Sequence, residues 1–381
     1  MRAIVFILRG CPAGWLGAYG NEWVGTPNLD RLAAESVVFD RHISDCPDPD
    51  AANRAWLGEH FATADVRTIL IRANHPDTDS PAPFYARWSE VFDARPQAED
   101  DSPLDHLIRS LPSVLDRLAQ VPRWLLWVEI DRLLPPWEVP QDVFEAYIAD
   151  EEEDPEKGEF EESIAPFADP PTGPFDRSDH AAWQWLHSTF AAVVTTLDAE
   201  LGVAFDEIRT RGLDRTAAWF VTSDLGYPLG EHGQVGVHRP WLHEELVHLP
   251  LVMRLPGAAE AGRRVPAFTQ PADLSTTLRN LFGRDEASRG LLPLARGEVE
   301  SIRSQAFSTL EVNGAKECAL RTADWAYLHP IQTNSDDPPR LPMLFVKPDD
   351  RWEVNDVLSQ NAEVTEQLRA ACEQEIERFQ M

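Results

Sequence analysis

Along this chain short apolar runs alternate with longer segments in which apolar residues return every three or four positions, the signature of strands and helices taking turns. Residues 3–8, 124–130, 217–222 and 249–254 read as central strands, rich in aliphatic, β-branched and aromatic side chains. Between the second and third, residues 178–211 carry Trp185, Phe190, Val193, Leu197, Leu201 and Phe205 at helical spacing. The alternation predicts an α/β fold with a doubly wound, mostly parallel mixed sheet and helices on both faces. Asp224 then falls just past the end of a strand, at the edge where open α/β sheets collect their ligands.

Two changes of pattern divide the chain. From 141 to 173 it turns acidic and Pro-rich, with the run Asp150-Glu151-Glu152-Glu153-Asp154. Like charges in sequence repel and face water, so the segment reads as a solvated surface insertion rather than a lid that gathers metal. Near Ala306 the pattern shifts to short strand-like pieces at 305–310, 319–321, 326–329 and 343–346, then a helix after Asn361. This divides the chain into an α/β domain over 1–303 and a small C-terminal subdomain of antiparallel sheet and helix over 304–381.

Charge and composition narrow the function. The 381 residues carry a formal net charge of −30, which repels phosphate backbones and anionic lipid surfaces, so nucleic acid is not an expected partner. Cys11, Cys46, Cys318 and Cys372 lie far apart, without the spacing of a disulfide framework or a zinc site. The first apolar run stops at Arg9, too short for a secretory segment. No stretch reaches the roughly 18–20 apolar residues of a membrane helix, and a cytoplasmic location is expected.

The stretch Thr26-Pro27-Asn28-Leu29-Asp30-Arg31-Leu32-Ala33 follows the first strand and a turn holding Gly17, Tyr19 and Gly20. It resembles the opening of a sulfatase, a branch of the alkaline-phosphatase superfamily. The tail is similar to that family's closing subdomain through Arg321-Thr322-Ala323-Asp324-Trp325, Leu344-Phe345-Val346-Lys347-Pro348-Asp349-Asp350 and Glu353-Val354-Asn355-Asp356-Val357. The resemblance runs over nearly the whole chain, weakest between 61 and 121.

It implies a chemistry that this chain carries only in part. A sulfatase binds calcium through an Asp-Asp pair ending its first strand and an Asp-His or Asp-Asn pair in a Ser-Asp-His-Gly-like motif; calcium takes six to eight hard oxygen ligands. Here Arg9 and Gly10 occupy the first pair. Ser223-Asp224-Leu225-Gly226 keeps Asp224 as the one family metal ligand and puts Leu225, which has no donor atom, at the next. Leu229-Gly230-Glu231-His232-Gly233 is close to the family's Leu-Gly-Glu-His-Gly. Calcium is therefore expected only if a rearranged site still turns over, and otherwise no cofactor.

The family's nucleophile is a formylglycine made from Cys-x-Pro-x-Arg or Ser-x-Pro-x-Arg. This chain reads Cys46-Pro47-Asp48-Pro49-Asp50-Ala51-Ala52-Asn53-Arg54. Anchoring on Arg54 puts Asp50 at the nucleophile and Ala52 at the proline; anchoring on Cys46 puts Asp48 at the proline and strands Arg54. Neither register carries the modification signal. Asp50, Arg54 and His238 remain as a degenerate catalytic set, with Asp50 either a carboxylate nucleophile or a cap for a helix beginning near Ala51. Asp131-Arg132-Leu133-Leu134-Pro135-Pro136-Trp137 lacks the His of the family's Asp-Pro-His. Arg9, Arg239 and His243 form a candidate anion side. A zinc set of Asp224, His232, His238 and His243 has suitable ligand types but no helical HxxxH pair.

Two readings follow. One is a pseudo-sulfatase that keeps the scaffold and binds a small anion or a protein; the other is a sulfuric or phosphoric ester hydrolase with a rearranged site. Arg9 bears on both, since its guanidinium either fills the vacated cation position and pairs with Asp224, and with Asp50 as a further partner, or turns outward to solvent.

Overall fold

A strand that is apolar on both faces must be covered on both, and the first strand meets that demand. In the computed structural model, which describes residues 1–57, 65–73, 88–94, 103–148, 165–283, 290–333 and 340–380, the strand Arg2–Leu8 is buried from Ala3 onward. Ile4, Phe6 and Leu8 enter one apolar core, and Ala3, Val5 and Ile7 enter another on the opposite face. Truncating a side chain as enclosed as Phe6 costs about 3–5 kcal/mol in such a setting.

Among the described residues nine strands form the main sheet, ordered Arg263–Thr269, Val37–Ile43, Leu251–Arg254, Ala217–Thr222, Arg2–Leu8, Trp124–Ile130, Arg67–Ala73 and Glu90–Ala94, with His248–Leu249 also paired to Val37–Ile43. Pairing is parallel except around Leu251–Arg254 and His248–Leu249. The expected doubly wound, mostly parallel sheet is therefore present, and its first strand is central. The register places Leu8 beside Ile130 and Ile7 beside Thr222, so the three chain exits share one edge. The single strand expected over 249–254 is broken at Pro250, whose missing N–H cannot join a ladder.

The helix His180–Thr210 fills the first core with Phe190, Val193, Leu197, Leu201 and Phe205. Asp179 caps it by accepting a hydrogen bond from the Ala182 N–H at 3.0 Å. This helix departs from the expectation that no segment is membrane-length: by length and composition it qualifies, yet 72% of its most apolar stretch is buried inside the fold. Its apolarity serves the core.

A four-stranded antiparallel sheet, Ala306–Val312, Ala315–Arg321, Trp325–Gln332 and Met343–Val346, follows with the helix Ala362–Gln380. The acidic segment is not a loop at its start: Gln141–Ile148 is a helix with Phe144 fully buried. Its acidic run at 150–154 lies outside the described residues.

Gly226 sits where two segments touch. Its N–H donates to the Leu246 carbonyl at 2.8 Å, and a Cβ there would lie 1.9 Å from the Glu245 carbonyl oxygen. Backbone cannot yield as a side chain can. Gly226→Ala is expected to destabilise the fold by about 3 kcal/mol or more, seen as a lower midpoint of urea unfolding. An unchanged midpoint would show that the Asp224 loop is not pinned there.

Candidate functional site

Parallel strands deliver their following residues to one edge, and here they deliver charge. Arg9 leaves the first strand, Glu129 comes near the end of the strand beside it, and Asp224 follows the strand on the other side. Arg9 Nη1 lies 2.5 Å from Asp224 Oδ2, and Nη2 lies 3.1 Å from Glu129 Oε2. Of the placements open to Arg9, the inward one is adopted: its side chain is 11% exposed and the carboxylates 3% and 0%. Its second carboxylate is Glu129, while Asp50 stands exposed on another element.

Asp224 is saturated. Its Oδ1 accepts from the N–H groups of Leu225 at 2.9 Å and Gly10 at 3.3 Å. The Leu225 side chain turns into an apolar cluster with Ile43, Leu242 and Leu246. Gly10 takes a φ of +79°, and a Cβ there would meet Leu134 Cδ2 at 2.6 Å, so a larger residue at position 10 is strained and requires Leu134 to shift. The N–H of Cys11 donates to Ser223 Oγ at 3.1 Å; burial, with the Asp224 charge nearby, drives the Cys11 thiol far up, which disarms it as a nucleophile.

One guanidinium serves several carboxyls, and Asp131 bears the excess. Burial pushes it up to about 7; Arg9 opposes this, and the charges of Glu129 and Asp224 reinforce it. Burial likewise raises Asp224, opposed by Arg9 and the N–H donors. A carboxyl displaced toward its neutral form therefore sits beside the ion pair.

A second buried network lies between the main sheet and the C-terminal sheet. Glu353, at φ +57°, receives Arg321 Nη2 at 2.8 Å, Lys347 Nζ at 3.2 Å and His243 Nδ1 at 3.0 Å. Burial works against its charge, but Arg321, Lys347 and His243 hold it well below the usual carboxylate range. His232 stacks on His243 with ring centroids 3.9 Å apart and hydrogen-bonds Glu245 Oε1 at 2.7 Å through Nδ1. Burial opposes its protonation, but Glu245 and Glu353 raise it to about 9. Glu231 is pushed up to about 8 by burial and by the charge of Glu245.

The remaining candidates scatter. Asp50 and Arg54 are exposed on the helix Pro49–Leu57, which begins before Ala51. The helix is capped by Asp48, whose Oδ1 accepts from the Ala51 N–H at 2.9 Å; Asp50 lies within its first turn. Cys46 is held up at about 11 by burial and by Asp48 and Asp45. His243 does not face a ligand as an anion-side residue would, because it is 1% exposed and paired to Glu353. Arg239 lies over the Trp241 ring at 4.6 Å, and the His238 carbonyl accepts from Asn313 at 3.2 Å. The zinc set does not assemble: among the described residues no group of three or more His, Cys, Asp or Glu is placed to hold a metal. Glu129 and Glu353 escaped the reading of the sequence as site residues. The signal was present for Glu129, an acid inside the otherwise apolar run Trp124–Ile130.

The Asp131 arrangement fixes a pH dependence. A carboxyl raised from 3.8 to about 7 binds more protons folded than unfolded, so it lowers stability progressively as pH rises between those values. Asp131→Asn should match the parent protein near pH 4 and exceed it above pH 7, by on the order of 2 kcal/mol. Urea unfolding across this range checks it, and a difference independent of pH would contradict it.

A sulfatase family profile matches residues 69–284, more than half of the chain. An N-acetylglucosamine-6-O-sulfatase from Bacteroides thetaiotaomicron is 30% identical over 102 residues, covering 26% of this chain and 18% of that protein's length. The phosphonate monoester hydrolase of Agrobacterium radiobacter has a TM-score of 0.72 at 18% identity, covering 100% of this chain and 95% of its own. BT4656, solved in complex with its substrate D-glucosamine-2-N,6-O-disulfate, has a TM-score of 0.72 at 15% identity over 99% of this chain and 98% of its own. At such identities the structures speak for the fold, and with the profile match they establish that the chain belongs to the sulfatase family.

Proposed function

We propose that this chain is a pseudo-sulfatase, which retains the family scaffold and acts by binding rather than by ester hydrolysis. The observation that carries the reading is the 2.5 Å contact of Arg9 Nη1 with Asp224 Oδ2 at the strand edge. There the family resemblance places calcium ligands. The residues present do not fit that ion: Asp224 Oδ2 already faces a guanidinium, Leu225 brings no oxygen and points into an apolar cluster, and Gly10 offers an N–H. A divalent cation there would meet like charge at close range.

The nucleophile argument points the same way. Asp50 is exposed on a helix, whereas Arg9 and Asp224 are buried at the sheet edge, and Cys46 lacks the modification motif. The alternative, a sulfuric or phosphoric ester hydrolase with a rearranged site, draws on the similarity to an N-acetylglucosamine-6-O-sulfatase and a phosphonate monoester hydrolase.

Three results test this reading. Turnover of an aryl sulfate and an aryl phosphate should be at background and indistinguishable from that of Asp224→Ala; clear turnover lost in that variant would overturn it. Peptide mass spectrometry should find Cys46 without a formylglycine shift. Arg9→Met should leave Glu129 and Asp224 buried and unpaired, costing about 3–5 kcal/mol by denaturant unfolding. A loss below about 1 kcal/mol would mean that the ion pair does not replace the cation.

A further inference from the structure

The cations of this acidic chain are not evenly spread. A cavity of about 260 Å³ opens where the ends of strands Val37–Ile43 and Arg263–Thr269 meet the C-terminal sheet, and Arg41, Arg264, Arg321, Lys347 and Arg351 line it against Asp40 and Glu244. Five basic side chains and two carboxylates are thus gathered in a chain whose net charge is −30. Asp40 pairs with Arg264 and Glu244 with Lys347, so the wall keeps an excess of positive charge over its own carboxylates. Arg9, Glu129, Asp131 and Asp224 are not in this wall.

The donors are only partly satisfied from within. Arg321 is 3% exposed; its Nη2 donates to the Leu242 carbonyl at 2.7 Å and to Glu353 at 2.8 Å, while its Nη1 is buried with no hydrogen-bond partner among the described residues. Arg321 is thus anchored inside the wall and acts on the cavity through its charge rather than through a free N–H. Arg41 lies 4.3 Å from the Phe268 ring centroid and donates through Nε to the Pro266 carbonyl. Burial lowers its pKa, with Asp40 opposing, so this guanidinium too gains from an added negative charge. Arg351 donates to the Tyr19 carbonyl at 2.9 Å and lies over Trp352 at 4.7 Å, fixed beside the cavity.

The rest of the wall is apolar, with Ile43, Phe268 and Pro348. A flat or aliphatic body can lie there while its charged end faces Arg41 and Arg351. We infer that this cavity is a binding site for a small organic oxyanion, a carboxylate, sulfate or phosphate carried on a ring-sized apolar body. The volume admits a single ring with its head group. The inference deepens the binding reading by giving it a place and a ligand class. It is tested apart from that reading, because turnover is probed with Asp224→Ala and occupancy of this cavity with variants elsewhere.

Calorimetric titration with phenyl phosphate, phenyl sulfate and benzoate decides it, with phenol as the uncharged control. At least one anion should bind saturably and phenol should not, which also identifies the preferred head group. Arg41→Gln should weaken binding about tenfold, the loss of one charge-assisted contact. Ala323→Trp, at an exposed turn on the rim, should abolish binding by filling the space while the circular dichroism spectrum stays unchanged. The inference is overturned if none of the three anions binds saturably, if phenol binds as well as they do, or if both variants bind with parental affinity.

Discussion

A guanidinium held between Asp224 and Glu129 at the end of the central strand is the constraint on which the edge of this protein depends. Two carboxylates drawn from neighbouring strands converge because the parallel register brings them there, and together they cannot remain buried without a cation. Arg9 supplies that cation covalently, from the strand itself. Its planar fork addresses both partners at once, which a lysine at the same position would not reproduce. Once it is in place the surrounding details follow. Asp224 Oδ1 is left to collect the Leu225 and Gly10 N–H groups, Leu225 is free to pack with apolar neighbours, and Asp131, raised by burial, is opposed by Arg9 in that shift.

An internal cation differs from a bound metal in what it permits. A calcium ion keeps coordination positions that a substrate oxygen can enter, whereas a guanidinium spends its fixed donors on the groups that anchor it. On the proposed binding reading, the edge is a structural joint. The buried Cys11 thiol beside it is raised beyond use as a nucleophile, consistent with a site whose polar groups satisfy one another.

The Glu353 network plays the corresponding part where the main sheet meets the C-terminal sheet. Arg321, Lys347 and His243 come from different elements and are gathered on one carboxylate, which ties the C-terminal sheet to the segment before Leu251–Arg254. Holding Arg321 by Nη2 leaves its Nη1 unmet, so the tie between the sheets also shapes the cationic cavity beside it.

Periodicity marked the strands at 3–8, 124–130 and 217–222, the long helix and the mostly parallel α/β character, because these express burial, and burial is written locally at intervals of two and 3.6 residues, while Val37–Ile43, Arg67–Ala73, Glu90–Ala94 and Arg263–Thr269 were not read from it. The family resemblance rested on short runs near each end and carried the fold equally well. It also marked Arg9, Gly10 and Leu225 as departures from the expected ligand positions. Which way Arg9 turned was not legible, since an arginine ending a strand satisfies either water or a carboxylate, and the choice depends on Glu129, 120 residues away in the chain. Asp50 and Asp48 are interchangeable as residue types near a helix start, and the backbone geometry selected Asp48 as the cap. The same holds for the cavity: Arg41, Arg264, Arg321, Lys347 and Arg351 show no pattern in sequence, and only the meeting of two sheets set their charges around one space. Local chemistry fixed the elements, and tertiary structure decided which charges share a dielectric.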